Sequence, residues 1–123
     1  MIIKRWLQSL ARGDMRRLTA EELQDKLTKI VEQIKEYHPQ KVVLFGSFAR
    51  GDYHGMSDAD LLIVKETDKP FLARIGDVLA LCDYDIPLEP LVYTPQELEL
   101  MRKEGNSFIE AALREGIVLY EQQ

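Results

Sequence analysis

Val43-Leu44-Phe45-Gly46-Ser47-Phe48-Ala49-Arg50-Gly51, then Asp52 to Met56, then Ser57-Asp58-Ala59-Asp60-Leu61-Leu62-Ile63-Val64, is the stretch that decides the fold of this chain. Its two apolar runs, residues 41–45 and 59–64, are short and bounded by polar turns, as buried strands are. The first runs into Gly46-Ser47, and the second follows Ser57 and opens on Asp58-Ala59-Asp60. Gly46 allows the backbone to approach a phosphate closely. Ser47 offers a hydroxyl and an amide at the start of a short helix, where free amides and the helix macrodipole favour anions. Side chains two apart on a strand share one side, so the carboxylates of Asp58 and Asp60 converge and repel unless a cation lies between them. Oxygen-only ligands favour magnesium, which keeps waters and substrate phosphate oxygens in its shell. A triphosphate cradle beside a carboxylate pair points to phosphoryl-group chemistry.

Outward from this core toward the N-terminus, Thr19-Ala20-Glu21-Glu22 sets a carboxylate three residues after a hydroxyl, the capping-box arrangement that starts a helix. Leu23, Leu27, Ile30, Val31 and Ile34 then form one apolar stripe, and Tyr37-His38-Pro39 should end the helix, because proline disfavours helical geometry in the residue before it. Toward the C-terminus, the spacing of Phe71, Leu72, Ile75, Val78 and Leu79 predicts one apolar face of a helix over 70–82. A strand is expected over 86–93, where Pro87 and Pro90 remove amide donors and push it toward an edge or a bulge. Thr94-Pro95 opens another helix, with threonine as cap and proline at the first helical position. Gly105 and Gly116 bracket a last helix carrying Phe108, Ile109, Ala112 and Leu113, and residues 117–120 read as a closing strand. The expected fold class is α/β (α+β), a small sheet flanked by helices.

The 123 residues fit one compact domain, expected over 18–123, preceded by a basic amphipathic segment over 1–17. In that segment Arg5, Arg12, Arg16 and Arg17 stand beside Ile2, Ile3, Trp6, Leu7 and Leu10, the composition of either a docking helix or a frayed end. A net charge of −5, from 21 acidic and 16 basic side chains, disfavours extended contact with DNA or RNA. Cys82 is the single cysteine, which excludes an intrachain disulfide and a cysteine-based zinc cage and suits a small core residue in a reducing, cytoplasmic protein. Lys4, Arg5 and Gln8 interrupt the opening residues, so neither a signal peptide nor a membrane span is expected.

Gly46-Ser47, ten intervening residues and Asp58-x-Asp60 together resemble the signature of the polymerase-beta-like nucleotidyltransferases. The flanking Phe-Gly-Ser-Phe-Ala-Arg-Gly and Ser-Asp-x-Asp-Leu-Leu-Ile-Val resemble the minimal, MNT-type branch of that superfamily. The resemblance implies the nucleotidyltransferase fold with a small mixed sheet, ATP as substrate and two magnesium ions. It also implies a third carboxylate on a later strand, which binds the second metal and deprotonates the attacking hydroxyl. In the matching stretch, residues 88–93, Glu89 stands where the family pattern usually has aspartate, and Asp85 is the runner-up. The candidate catalytic and metal-binding residues are therefore Asp58, Asp60 and Glu89. Gly46, Ser47, Arg50 and Ser57 are the nucleotide-binding candidates, although an arginine one turn along a short helix is more commonly just exposed. His54 lacks metal-ligand spacing to another histidine, and His38 is expected to end a helix.

The MNT resemblance further implies a helical HEPN-type protein partner, the two forming a toxin–antitoxin pair in which AMP is moved from ATP onto a tyrosine of the toxin. Because no acceptor-binding domain is evident, the expected acceptor lies on that partner, with Trp6, Leu7 and Leu10 as candidate contact residues. Two other readings stay open: a vestigial nucleotide-binding subunit that neutralises its partner by occlusion, and an antibiotic-modifying enzyme acting on a small molecule. Homo-oligomerisation also stays open.

Overall fold

The computed structural model describes residues 18–53, 57–83 and 86–123, so the segment 1–17, His54 and Asp85 lie outside the described residues. The first helix, α1 (Ala20–Ile34), begins as expected: the Thr19 side chain accepts from the Glu22 amide while Glu22 returns to the Thr19 amide. A single 3-10 turn (Lys35–Tyr37) continues it, and His38 terminates it with a left-handed backbone at φ 58°. There follow β1 (Lys41–Phe45), the one-turn helix α2 (Ser47–Arg50), β2 (Ala59–Val64), α3 (Phe71–Leu81), β3 (Leu88–Tyr93), α4 (Pro95–Lys103), α5 (Ser107–Glu115) and β4 (Ile117–Glu121). Thr94 and Glu97 form a second capping box at the start of α4, with Pro95 in its first turn.

The four strands make one mixed sheet in the order β3-β2-β1-β4. β1 runs antiparallel to both neighbours, whereas β2 and β3 are parallel and are joined by the α3 crossover. Pro90 is accommodated because β3 is an edge strand: the Pro87 and Tyr93 carbonyls accept from β2, so by alternation the Pro90 nitrogen turns to the open side, while Pro87 precedes the strand.

Strand alternation divides the apolar residues between two faces. Val42, Leu44, Ala59, Leu61, Ile63 and Val92 face α1 and α3, and with Leu23, Leu27, Ile30, Ile34 and Val78 they form the main core. Val43 and Leu62 face the other way, against Ile109, with Leu98, Met101 and Leu113 of α4 and α5 packed around them. Cys82 is partly buried against the main core, and that burial pushes its thiol up to about 11, out of the reactive range.

One expectation for α3 needs correction. Leu72 is 78% exposed, and Arg74 occupies a buried position on the inward face. Helical spacing explains it: positions 71, 74, 75 and 78 fall on one side of an α-helix, and 72 falls away from them. Arg74 donates to the Val92 and Lys69 carbonyls and makes a two-armed pair with Glu97, at 2.7 and 3.1 Å. Glu97 therefore both caps α4 and satisfies the buried guanidinium. Among the described residues, no helix is long and apolar enough to cross a membrane.

Candidate active site

The site is built where β1 ends and β2 and β3 begin. In the sheet register Phe45 lies opposite Asp60, and Asp60 lies beside Glu89. Asp60 and Glu89 alternate with residues of the main core, so both project onto the face that carries Val43 and Leu62. They lie side by side in register, close enough for the Glu89 carboxyl to act on that of Asp60. Asp58, two residues before Asp60, is exposed and close enough to add its charge.

Asp60 titrates at about 6, well above the ordinary carboxylate range. Partial burial is the largest cause, followed by the Glu89 charge, the side-chain interaction with Glu89 and the Asp58 charge, against a smaller opposing pull from Arg50. Desolvation and like-charge crowding on one carboxylate are what a cation would relieve. The donor set is oxygen only, which fits magnesium. Among the described residues no three acidic, histidine or cysteine side chains already form a closed cation site. Substrate phosphate oxygens and waters would have to complete any coordination shell, as magnesium generally requires.

Gly46 connects β1 to α2 with φ 77°, a left-handed conformation that disfavours any other residue. A second constraint was not visible from the sequence: a Cβ at position 46 would collide with the Asp60 carboxylate, reaching 3.1 Å from its Cγ. The turn and the aspartate thus lie in contact, and the glycine makes room for the carboxylate as well as for the turn. Helical geometry leaves the amides of Ser47, Phe48 and Ala49 without acceptors in α2, whereas the Arg50 amide bonds the Gly46 carbonyl at 3.0 Å. Ser57 is buried, immediately before Asp58.

Arg50 is exposed, and its guanidinium pairs with Asp52 at 3.2 Å and Glu115 at 3.7 Å. It ties the turn to α5 while remaining close enough to influence Asp60. Gly46, Ser47, Asp58, Asp60 and Glu89 are brought to one end of one sheet face. The buried Arg74 holds the far end of β3 through Val92 and was missed from sequence. The available signal was an arginine at the inward spacing between Phe71 and Val78.

Residues 25–119 match the family described as "Nucleotidyltransferase domain". Two proteins of Methanocaldococcus jannaschii, provisionally named protein adenylyltransferases, are similar in sequence. MJ0604 is 40% identical over 82 residues, covering 66% of this chain and 78% of the relative. MJ0141 is 39% identical over 80 residues, covering 53% and 80%. A crystal structure described as a nucleotidyltransferase from Sulfolobus solfataricus superposes with a TM-score of 0.56 at 18% identity, over 98% of this chain and 87% of that one. The toxin–antitoxin MntA–HpeT superposes at 0.53 and 18% identity, over 78% and 72%. A toxin–antitoxin structure with AMP-PNP superposes at 0.51 and 21% identity, over 78% and 73%. At these identities the superpositions bear on the fold alone.

Proposed function

This chain belongs to the nucleotidyltransferase domain family, and on that premise we propose that it moves AMP from ATP onto a hydroxyl of a protein partner. The observation that carries the reading is the pairing of Asp60 with Glu89 across adjacent strands, on the same face as Asp58 and in contact with the Gly46 turn. Three carboxylates beside a turn with free amides suit a triphosphate that arrives with its cations.

In this reading the amides after Gly46 and the Ser47 hydroxyl receive the triphosphate, Ser57 supports the approach to Asp58, and Arg50 swings from Asp52 toward the phosphates. Asp58, Asp60 and Glu89 hold two magnesium ions, which, when bound, offset phosphate charge and polarise the reacting phosphorus. The acceptor oxygen forms a bond to the α-phosphorus, the bond to the β-phosphate bridging oxygen breaks, and pyrophosphate leaves. The acceptor proton passes to the Glu89 carboxylate.

The partner is proposed to be a helical HEPN-type protein in a toxin–antitoxin pair, working in the cytoplasm. Two observations favour a protein acceptor: the names of the Methanocaldococcus relatives, and the likeness in fold to MntA of a toxin–antitoxin pair. Incubation with ATP labelled at the α-phosphate, magnesium and such a partner should label a partner tyrosine, and Asp58→Asn should prevent it. Labelling of free aminoglycosides instead, or a tight complex that never takes label, would overturn the proposal.

A further inference from the structure

On the face and at the end of the sheet that hold the carboxylates, one aromatic ring stands open. Phe45 directly precedes Gly46 and lies opposite Asp60 in register. Phe108, in the first turn of α5, packs against Phe45 edge to face, with ring centroids 5.6 Å apart at 83°, yet remains 44% exposed. At its other end α5 is tied to the same turn through Glu115 and Arg50. The helix therefore touches the cradle at both ends and holds an aromatic ring at its border.

A lone exposed hydrophobic residue needs no function. What distinguishes Phe108 is its position, and the other described aromatic pairs lack it. Phe48 and Tyr53 are buried in the main core. Tyr93, which packs on Phe71, lies beside Val64 at the opposite end of β2. A nucleotide held by its phosphates at Gly46–Ser47 must still place its base, and a base gains most from a rigid π-face with one side open.

We infer that Phe108, backed by Phe45, is the shelf on which the nucleobase stacks, and that it makes the site prefer purine nucleotides. This inference rests on the nucleotidyltransferase reading above. The edge-to-face contact with Phe45 fixes the tilt of the Phe108 ring and leaves a face free. Stacking discriminates by area, so a purine gains more than a pyrimidine while the phosphates and cations bind as before.

Calorimetry in magnesium, comparing ATP, GTP, CTP and inorganic tripolyphosphate, separates this inference from its premise. Wild-type protein should bind ATP and GTP about tenfold more tightly than tripolyphosphate, with CTP between. Phe108→Ala should erase that preference while leaving tripolyphosphate affinity unchanged, and Phe108→Trp should retain or increase it. Phe108→Leu, which keeps apolar volume against Phe45, should behave as alanine does and guards against a packing artefact. If all three variants keep the wild-type preference for ATP, the shelf is disproved and the nucleotidyltransferase reading stands. If wild-type protein binds neither tripolyphosphate nor any nucleotide, both fall together.

Discussion

The two faces of the sheet are built to different standards. Toward α1 and α3, the main core gathers side chains from both helices and all the central strand positions of matching parity, and Ile34, Val42, Leu61, Ile63 and Val78 are sealed completely. Toward α4 and α5 the enclosed cluster is smaller, Val43, Leu62 and Ile109 with Ala112 also buried, and the strand ends beyond it carry carboxylates. One face supplies cohesion, and the other gives strand positions to the carboxylates of the proposed site. A single strand serves both, since Ala59, Leu61 and Ile63 look one way while Asp60 and Leu62 look the other. Stability and activity should therefore separate by parity along β2.

The largest effect expected from that division is on turnover. Asp58→Asn with Asp60→Asn should lower transfer by about 10³-fold or more, while circular dichroism and melting show an intact fold. Leu61→Ala, one residue away on the opposite face, should cost about 2–5 kcal/mol of unfolding free energy by denaturant titration. Its transfer rate per folded molecule should stay near wild type. Equal loss of activity from both changes would erase the distinction between the faces.

The buried Arg74 gives an intermediate test, because it bridges α3, the Val92 carbonyl in β3 and the cap of α4. Glu97→Ala leaves the guanidinium enclosed without its counter-charge. The expected cost is about 2 kcal/mol, below the range for a fully buried pair because Glu97 itself is part-exposed. The Arg74 guanidinium holds the Glu97 carboxyl below its ordinary value, so this contribution is present at neutral pH and is lost as the solution is acidified through the folded-state pKa. Urea titrations of both proteins at neutral and acidic pH should converge at the acidic end.

The helix caps at Thr19 and Thr94 and the limits of β1 and β2 were legible in the sequence, because each rests on local chemistry: a hydroxyl followed by a carboxylate, or an apolar run. Asp58 and Asp60 were legible as a pair for the same reason. β3 starts at Leu88, two residues later than expected, and of the edge or bulge that its prolines predicted it takes the edge. Arg74 was hidden because an arginine inside an apolar stripe reads as solvent-facing until a carboxylate from another helix is seen to meet it. The contact of Gly46 with Asp60, and the alignment of Glu89 with Asp60, depend on strand register, which no local pattern specifies.

The smallest expected effect bears on the carboxylate cluster itself. Asp60 is raised to about 6 in the fold, so in metal-free protein its ionisation opposes folding: the penalty is absent below the unfolded value near 4, grows from there to about 6, and is fully present above it. Asp60→Asn should therefore melt higher than wild type at pH 7.5, by a few degrees for roughly 1 kcal/mol after allowance for solvent screening. The gap should vanish near pH 4 and narrow at pH 7.5 when magnesium is added to the wild type. A gap independent of pH would mean that crowding of charge is not what the substitution relieves.

The parallel pairing of β2 with β3 has a consequence in time. β1 and β2 are neighbours joined by residues 46–58, which carry α2, so the Gly46 turn and the aspartate pair come together within one stretch of chain. Glu89 reaches Asp60 only after the chain has travelled out through α3 and returned along the sheet, and such distant pairings close slowly. In the proposed mechanism, a chain whose β3 has not yet docked holds the groups assigned to the phosphates before it holds the group assigned to the acceptor proton.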